Sequence, residues 1–277
     1  MRDNLYEVMA DAEHRHWWFI GKNANVWRLI ERFGPDAAPD GSRPRALDAG
    51  CGSGGLLSRL GDTYDAVGID MAEEARDLCA KRGLKALYGS LPDEMPFEPG
   101  SFDLIVASEV IEHVEQDVEA AKTLVNLLAP GGVLIVTVPA FQWMWGVHDT
   151  AHHHFRRYTR TRLLDLFRDQ PVRAELASYH NTTFFPLMAA ARLWGKAFGS
   201  KEEASVELKR PPAPINATMG AIFKAEGHVI NRVPLPFGGS LIAAFRRDKQ
   251  TAPAGATVTV TSRGAQPAPA SAPTAAV

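Results

Sequence analysis

Cysteine is scarce in this 277-residue chain, which has two, Cys51 and Cys79. Two thiols in separate parts of the pattern provide neither a disulfide framework nor a cysteine-based zinc site. An excess of charge of one sign is lacking too: 30 lysines and arginines face 32 acids, for a net charge of −2. Such a balance gives no general attraction to phosphate polymers, so nucleic acid is not an expected partner. No unbroken apolar run reaches the roughly 18 to 20 residues that a membrane-spanning helix needs. The first thirteen residues carry acids and no apolar segment preceded by bases, so no secretory signal is expected and a reducing, cytoplasmic compartment fits best. What is present is 45% apolar and 22% charged, the make-up of an ordinary globular protein long enough for one large domain with insertions.

Between residues 45 and 139, short apolar runs rich in β-formers alternate with stretches of helical spacing, as in a parallel sheet covered on both faces by helices. Strands are expected at 45–49, 66–69, 85–88, 102–107 and 133–138, and helices at 54–60, 72–82 and 115–128. The breakers Ala129-Pro130-Gly131-Gly132 end the last helix. Two later runs, 173–178 and 240–245, can complete the sheet, in an order that spacing leaves open. An aromatic cluster, His16-Trp17-Trp18-Phe19, precedes a helical segment at 23–32, so residues 1–40 read as a helical cap. Residues 159–167 read as a helix opened by a Thr cap. Phe184, Leu187, Met188, Ala191, Trp194 and Phe198 recur on one helical face, within a helical insertion at about 181–235. That face covers the protein's own core or lies on a membrane surface through residues 184–198. The core domain is bounded at 41–248, and the Ala/Pro/Thr-rich run that ends the chain, 249–277, lacks anchors to offset its ordering entropy and reads as disordered.

The strongest local signal is Leu47-Asp48-Ala49-Gly50-Cys51-Gly52-Ser53-Gly54-Gly55, a glycine-rich turn from the first strand into a helix. Glycine permits the tight turn and a close approach of ligand to backbone. Gly50, Gly52 and Gly55 satisfy the spacing of a dinucleotide fingerprint, with Asp70 about twenty residues on to hold ribose hydroxyls. Asp48, however, repels a pyrophosphate beside the turn and suits a ligand carrying an ammonium and a sulfonium. Both carboxylates belong to the carboxyl edge of adjacent strands, the ligand crevice of an open α/β sheet.

Leu47–Gly55, Val67–Met71, Tyr88–Leu91, Ser101–Val114 and Gly131–Ala140 together resemble, in order, the successive motifs of class I S-adenosylmethionine-dependent methyltransferases. The resemblance implies a doubly wound, Rossmann-like α/β fold with seven mostly parallel strands, the last antiparallel. It also implies S-adenosylmethionine as cofactor. Asp48, Gly50, Gly52 and Gly54 would surround its methionine part, Asp70 its ribose and Met71 its adenine. Ser90 and Leu91 match the next adenine position, where Ser90 departs from the more usual acid. Ser108 and Glu109 would line the methionine side. In Glu109-Val110-Ile111-Glu112-His113-Val114, the plainer expectation is that Glu112 and His113 orient the loop by hydrogen bonds, the alternative being base catalysis.

After the fifth strand come His148-Asp149 and then His152-His153-His154-Phe155-Arg156-Arg157-Tyr158. This is similar to an H-D-x4-H-x-R-R-Y pattern in one bacterial subgroup of that family, which the His16–Phe19 cluster also resembles. His148 or His154 can take a proton from an acceptor, with Asp149 orienting one imidazole. Arg156 or Arg157 can hold an anionic group and Tyr158 can donate a hydrogen bond; equally, these groups can bond one another to pin a long loop. Consecutive histidines point in different directions, so no metal is expected. Trp18 is a candidate lid over the cofactor. The reading is methyl transfer to a small-molecule or lipid-like acceptor, with oxygen favoured. The alternatives are an NAD-dependent oxidoreductase and a catalytically silent nucleotide-binding module.

Overall fold

The computed structural model describes residues 5–37, 39–198 and 210–249. The alternating runs form one seven-stranded sheet of β1 (Arg45–Ala49), β2 (Asp65–Asp70), β3 (Ala86–Tyr88), β4 (Phe102–Ser108), β5 (Leu128–Pro139), β6 (Val172–His180) and β7 (Ser240–Arg247). Their order is β3-β2-β1-β4-β5-β7-β6. Strand β7 pairs antiparallel with both β5 and β6, and the remaining pairs are parallel. This is a Rossmann-like, mostly parallel fold.

Period-two alternation divides the interior into two cores. Leu47, Ala49, Ile105, Ala107, Leu134 and Val136 face one side with α5 (Asp117–Leu127) and α7 (Arg160–Asp165), while Ala46, Leu104, Val106, Val133 and Ile135 face the other. That second face is covered by α2 (Trp17–Phe33), through Val26, Leu29 and Ile30, and by α3 (Gly55–Thr63), through Leu56 and Leu60. Asp48 has the parity of Ala46, so its side chain belongs to the face that α2 covers.

Several boundaries move from the expected ones for identifiable reasons. The helix expected at 23–32 begins at Trp17, because His16 caps it by accepting from the Trp18 N–H at 3.3 Å. Ahead of it, α1 (Leu5–Arg15) falls within the helical cap expected at 1–40. The breakers 129–132 do stop α5, yet they bulge within β5: Phe102 pairs with Leu128 and Leu104 already with Val133. The insertion supplies α8 (Phe185–Phe198) and α9 (Ala213–Ile230). Asn216 of α9 holds the α1–α2 junction, accepting from the Trp17 N–H at 3.0 Å and donating to the Arg15 carbonyl at 2.8 Å. Short helices α4 (Glu73–Lys81) and α6 (Val147–Ala151) complete the set used below. Residues 1–4 and 199–209, and the expected disordered run apart from Lys249, lie outside the described residues.

The antiparallel β7 is locked by Phe245, which is 1% exposed and stacks on Phe167 at 4.1 Å. Phe245→Ala should lower unfolding free energy by about 3–5 kcal/mol in urea titrations. A cost below about 1 kcal/mol would show that this edge of the sheet is not cooperative with the core.

Candidate active site

The carboxyl ends of the strands converge on one crevice edge, and the backbone turns sharply there. Gly50, Gly52 and Gly54 have positive φ, and so do Glu109 after β4, Phe141 after β5 and Asn181 after β6. A side chain is strained in that region, and such residues concentrate at functional sites. At Gly50 a Cβ would also lie 2.6 Å from the Val110 side chain, and at Gly54 2.7 Å from Leu84, so the turn is tight as well as left-handed.

Asp70 fixes the glycine turn. One carboxylate oxygen accepts from the Gly52 N–H at 3.0 Å and the other from the Ala72 N–H at 2.9 Å, tying the turn to the start of α4. Met71, next to it, is 69% exposed and presents an apolar surface at the rim. Ser90 exchanges two backbone hydrogen bonds with Glu94, and Leu91 packs on the first core. Ser108 shares a hydroxyl hydrogen bond with Thr137 at 3.0 Å. Cys51 and Cys79 are buried, packed thiols, 3.9 Å apart.

Asp48 is buried, and its Oδ2 has no hydrogen-bond partner. Burial first, then the charges of Glu13 and Asp70, push its carboxyl up to about 7, against the opposing pull of Lys22. An orphaned carboxylate oxygen beside a glycine turn fits a cationic ligand, which restores the charge pairing that burial removes. Glu13 of α1 and Lys22 of α2 thus belong to the site although nothing in their sequence surroundings marks them. Glu13 accepts from the Ser53 hydroxyl beside the first turn of α3. Lys22 is buried, with its ammonium 4.9 Å from the Trp18 ring centre. Trp18 therefore stands next to the crevice, whereas Trp17 packs between α8 and α9 on Phe184 and Phe223.

Glu112 is 0% exposed, and its carboxyl meets the side chain of Glu109, while its backbone carbonyl accepts from the Phe155 N–H at 2.8 Å. Burial and the neighbouring Glu109 hold its carboxyl well above the ordinary range. His180, at the end of β6, is another site residue that the sequence reading missed. Neither ring nitrogen has a hydrogen-bond partner, and burial followed by the Lys22 charge lowers it to about 3. It escapes sequence reading because a histidine ending a strand looks like any other.

The histidine and arginine segment divides into two knots, each centred on a buried carboxylate. Asp149 accepts from the Gly146 N–H at 2.8 Å, from His154 Nδ1 at 2.9 Å and from Arg157 Nε at 2.7 Å. Burial opposes its ionisation, but the bonds from His154 and Arg157 outweigh it and leave the carboxyl far below its usual range. Asp117, at the start of α5, receives Tyr158 Oη at 3.1 Å, Arg156 at 2.9 Å and Arg162 at 3.2 Å. Tyr158 is wholly buried there and faces the core, and burial with the Asp117 charge pushes its hydroxyl far up. Arg156 and Tyr158 thus pin the loop. The ring of His148 lies 6.1 Å from that of His154, which in turn meets His113 edge-on at 4.5 Å.

Residues 47–136 match the protein family described as Methyltransferase domain. A ubiquinone biosynthesis O-methyltransferase from a Caulobacter species is 42% identical over 102 residues, covering 33% of this chain and 39% of the relative. The chloroplastic tocopherol O-methyltransferase of Arabidopsis thaliana is 36% identical over 151 residues, covering 45% of this chain and 43% of the relative. The matches thus span about two fifths of the length of these curated relatives. A solved structure of an S-adenosylmethionine-dependent methyltransferase from Thermotoga maritima shares the fold, with a TM-score of 0.53 at 16% identity, over 90% of this chain and 100% of that one. The likeness to methyltransferases is thus carried by the central segment, residues 47–136.

Two stability predictions arise from the carboxylates. The folded Asp48 titrates near 7 against an unfolded value of 3.8. Its burial therefore costs stability progressively as pH rises from about 4 to 7, on the order of 4 kcal/mol in total. Asp48→Asn should make the ligand-free protein more stable than wild type at pH 8 and little different at pH 4, measured by urea unfolding; equal pH profiles would contradict the burial argument. Asp149 has the opposite sign: its folded value is depressed below 3.8, so its contribution is complete above that pH and fades as pH falls beneath it. Asp149→Asn should cost about 3–5 kcal/mol at pH 7, with the gap from wild type narrowing in melts taken below pH 4.

Proposed function

We propose that the protein transfers a methyl group from S-adenosylmethionine to a small-molecule or lipid-like acceptor, at oxygen. The observation that carries this reading is the buried carboxyl of Asp48 beside the glycine turn, one oxygen of which has no hydrogen-bond partner. When bound, the cofactor supplies an electrophilic methyl carbon on a sulfonium. In this reading Asp48 and the backbone of Gly50, Gly52 and Gly54 hold its methionine part, with Ser108 and Glu109 beside them. Asp70 retains lone pairs for ribose hydroxyls after its two backbone bonds, and Met71, Ser90 and Leu91 border the adenine. Trp18 closes the crevice from α2.

Methyl transfer is an in-line displacement, so the chain's task is to align the acceptor and exclude water. With the methyl carbon supplied by the cofactor and the acceptor oxygen as nucleophile, the acceptor hydroxyl proton would need a destination. His148 or His154 receives it, with Asp149 fixing the tautomer of His154 through Nδ1. Arg157, 10% exposed at its side chain and held on Asp149, keeps that dyad in place.

Oxygen and a lipid-like acceptor are supported by the relatives' names, which concern ubiquinone biosynthesis and tocopherol. The surface of α8 adds to this, since Leu187, Leu193, Trp194 and Phe198 are exposed by 57–71%, a suitable face for peripheral contact with a bilayer. Among the described residues no helix is long and apolar enough to cross a membrane.

Thermal unfolding with each cofactor tests the reading. S-adenosylhomocysteine should raise the melting temperature and NADH should not; stabilisation by NADH alone would favour hydride chemistry instead. In titration calorimetry, Asp48→Asn should bind S-adenosylmethionine roughly ten- to a hundredfold more weakly, the loss of a charged hydrogen-bond partner. Unchanged affinity would remove Asp48 from the cofactor site.

A further inference from the structure

We infer that Glu112, His113 and His154 form a binding site for a divalent transition-metal ion at the foot of the histidine loop. These residues come from the short turn after β4 and from the loop after β5, and one ligand atom from each lies within 4.8 Å of the others. Two imidazoles and one carboxylate are a donor set for zinc and its neighbours. A tetrahedral ion with bonds of about 2.0 Å separates its donors by about 3.3 Å, so the three need to close by roughly 1.5 Å at most, within reach of side-chain rotation.

The surroundings of each donor support an ion rather than a hydrogen-bonded cluster. Both oxygens of Glu112 are buried, and the side chain that meets them is another acid, Glu109, so an ion can displace the proton the two carboxyls share. Asp149 engages Nδ1 of His154 at 2.9 Å, which leaves the lone pair of Nε2 as the ring's remaining ligand position. A carboxylate behind an imidazole is the usual arrangement that fixes a metal-bound histidine, and Asp149 is itself anchored by Arg157 and the Gly146 N–H. His113 interacts with the backbone of His152, which gives the second imidazole a fixed partner of its own. Glu109, with one buried oxygen also unpartnered, adds negative charge beside the site. Residue-by-residue reading of His152-His153-His154 misses this because the donors are forty residues apart and only His154 comes from that run.

Three protein ligands leave one position of a tetrahedral ion open, and the ion takes His154 out of proton transfer, leaving that task to His148. Metal binding does not depend on the methyl-transfer reading. The test uses the full chain, stripped of metal with a chelator and titrated with ZnCl2 by calorimetry and with CoCl2 by visible absorption. One ion per chain is expected, with X-ray absorption of the zinc form showing two imidazoles in the first shell. Glu112→Gln, His113→Ala and His154→Ala should each weaken zinc binding by at least about tenfold while circular dichroism stays native, and His153→Ala, at an exposed position, should leave it unchanged. Failure of the unmodified chain to bind stoichiometric zinc or cobalt would overturn the proposal. So would zinc that survives loss of Glu112 and His113 but not of His148 and His152.

Discussion

A carboxyl group on a buried strand is expensive, and the cost at Asp48 organises the surrounding structure. Strand parity gives β1 two faces, and residue 48 falls on the one that α2 covers, so the group cannot reach bulk water. The chain supplies limited relief. Lys22 is the neighbour that lowers the cost, while Glu13 and Asp70 add to it. A sequence selected for stability alone would place an apolar residue here, as it does at Ala46 and Val106 on the same face. An unpaired oxygen left in such a position is best explained by a cation that arrives from outside.

Precision around that carboxyl comes from backbone hydrogen bonds. Asp70 spends both oxygens on N–H groups, one in the glycine turn and one at the start of α4, so two strand ends are held at a fixed distance. Across the crevice the long segment after β5 has little regular structure of its own, yet Asp149 and Asp117 convert it into a rigid wall. Each collects donors from residues several positions apart, and each is nearly or wholly inaccessible. Buried carboxylates with several charged donors are costly to break, so the loop keeps one conformation without a dense apolar core beneath it.

Much of the fold was legible because its signals are local. Alternation located all seven strands within a few residues, and the structure places the glycine turn and Asp70 together at the carboxyl edge of the sheet, as the pattern led one to expect. The exceptions have physical causes. Helix α1 was legible only as part of a helical cap without its own bounds, and α9 is fixed by tertiary bonds from Asn216 and Phe223, which no window of sequence contains. Glu13, Lys22 and His180 enter the site from elements far away in the chain, so nothing near them announces a role. The H-D-x4-H-x-R-R-Y segment was recognisable as a unit, but direction was not: Arg156 and Tyr158 turn toward Asp117, whereas Arg157 and His154 turn toward Asp149. Residues adjacent in sequence serve opposite sides of the loop. For Glu112 the pattern suggested a hydrogen-bonded support, and only the three-dimensional arrangement reveals that the side chain meeting its carboxyl is a second acid, Glu109.

The distribution of charge also bears on how a turnover would end. The carboxyls of Glu13, Asp48, Asp70, Glu109 and Glu112 outnumber the ammonium of Lys22 around the crevice, and burial holds two of them, Asp48 and Glu112, toward the neutral form until a cation is present. On the proposed reading, a sulfonium entering this field would be attracted before any contact forms. Loss of the methyl group would remove that positive charge, so the attraction would weaken once the reaction was complete. Asp48 would then return toward its protonated form, since burial would again dominate. The same carboxyl that would draw the donor in would therefore favour departure of the spent cofactor, without any movement of the loops that the two carboxylate knots hold rigid.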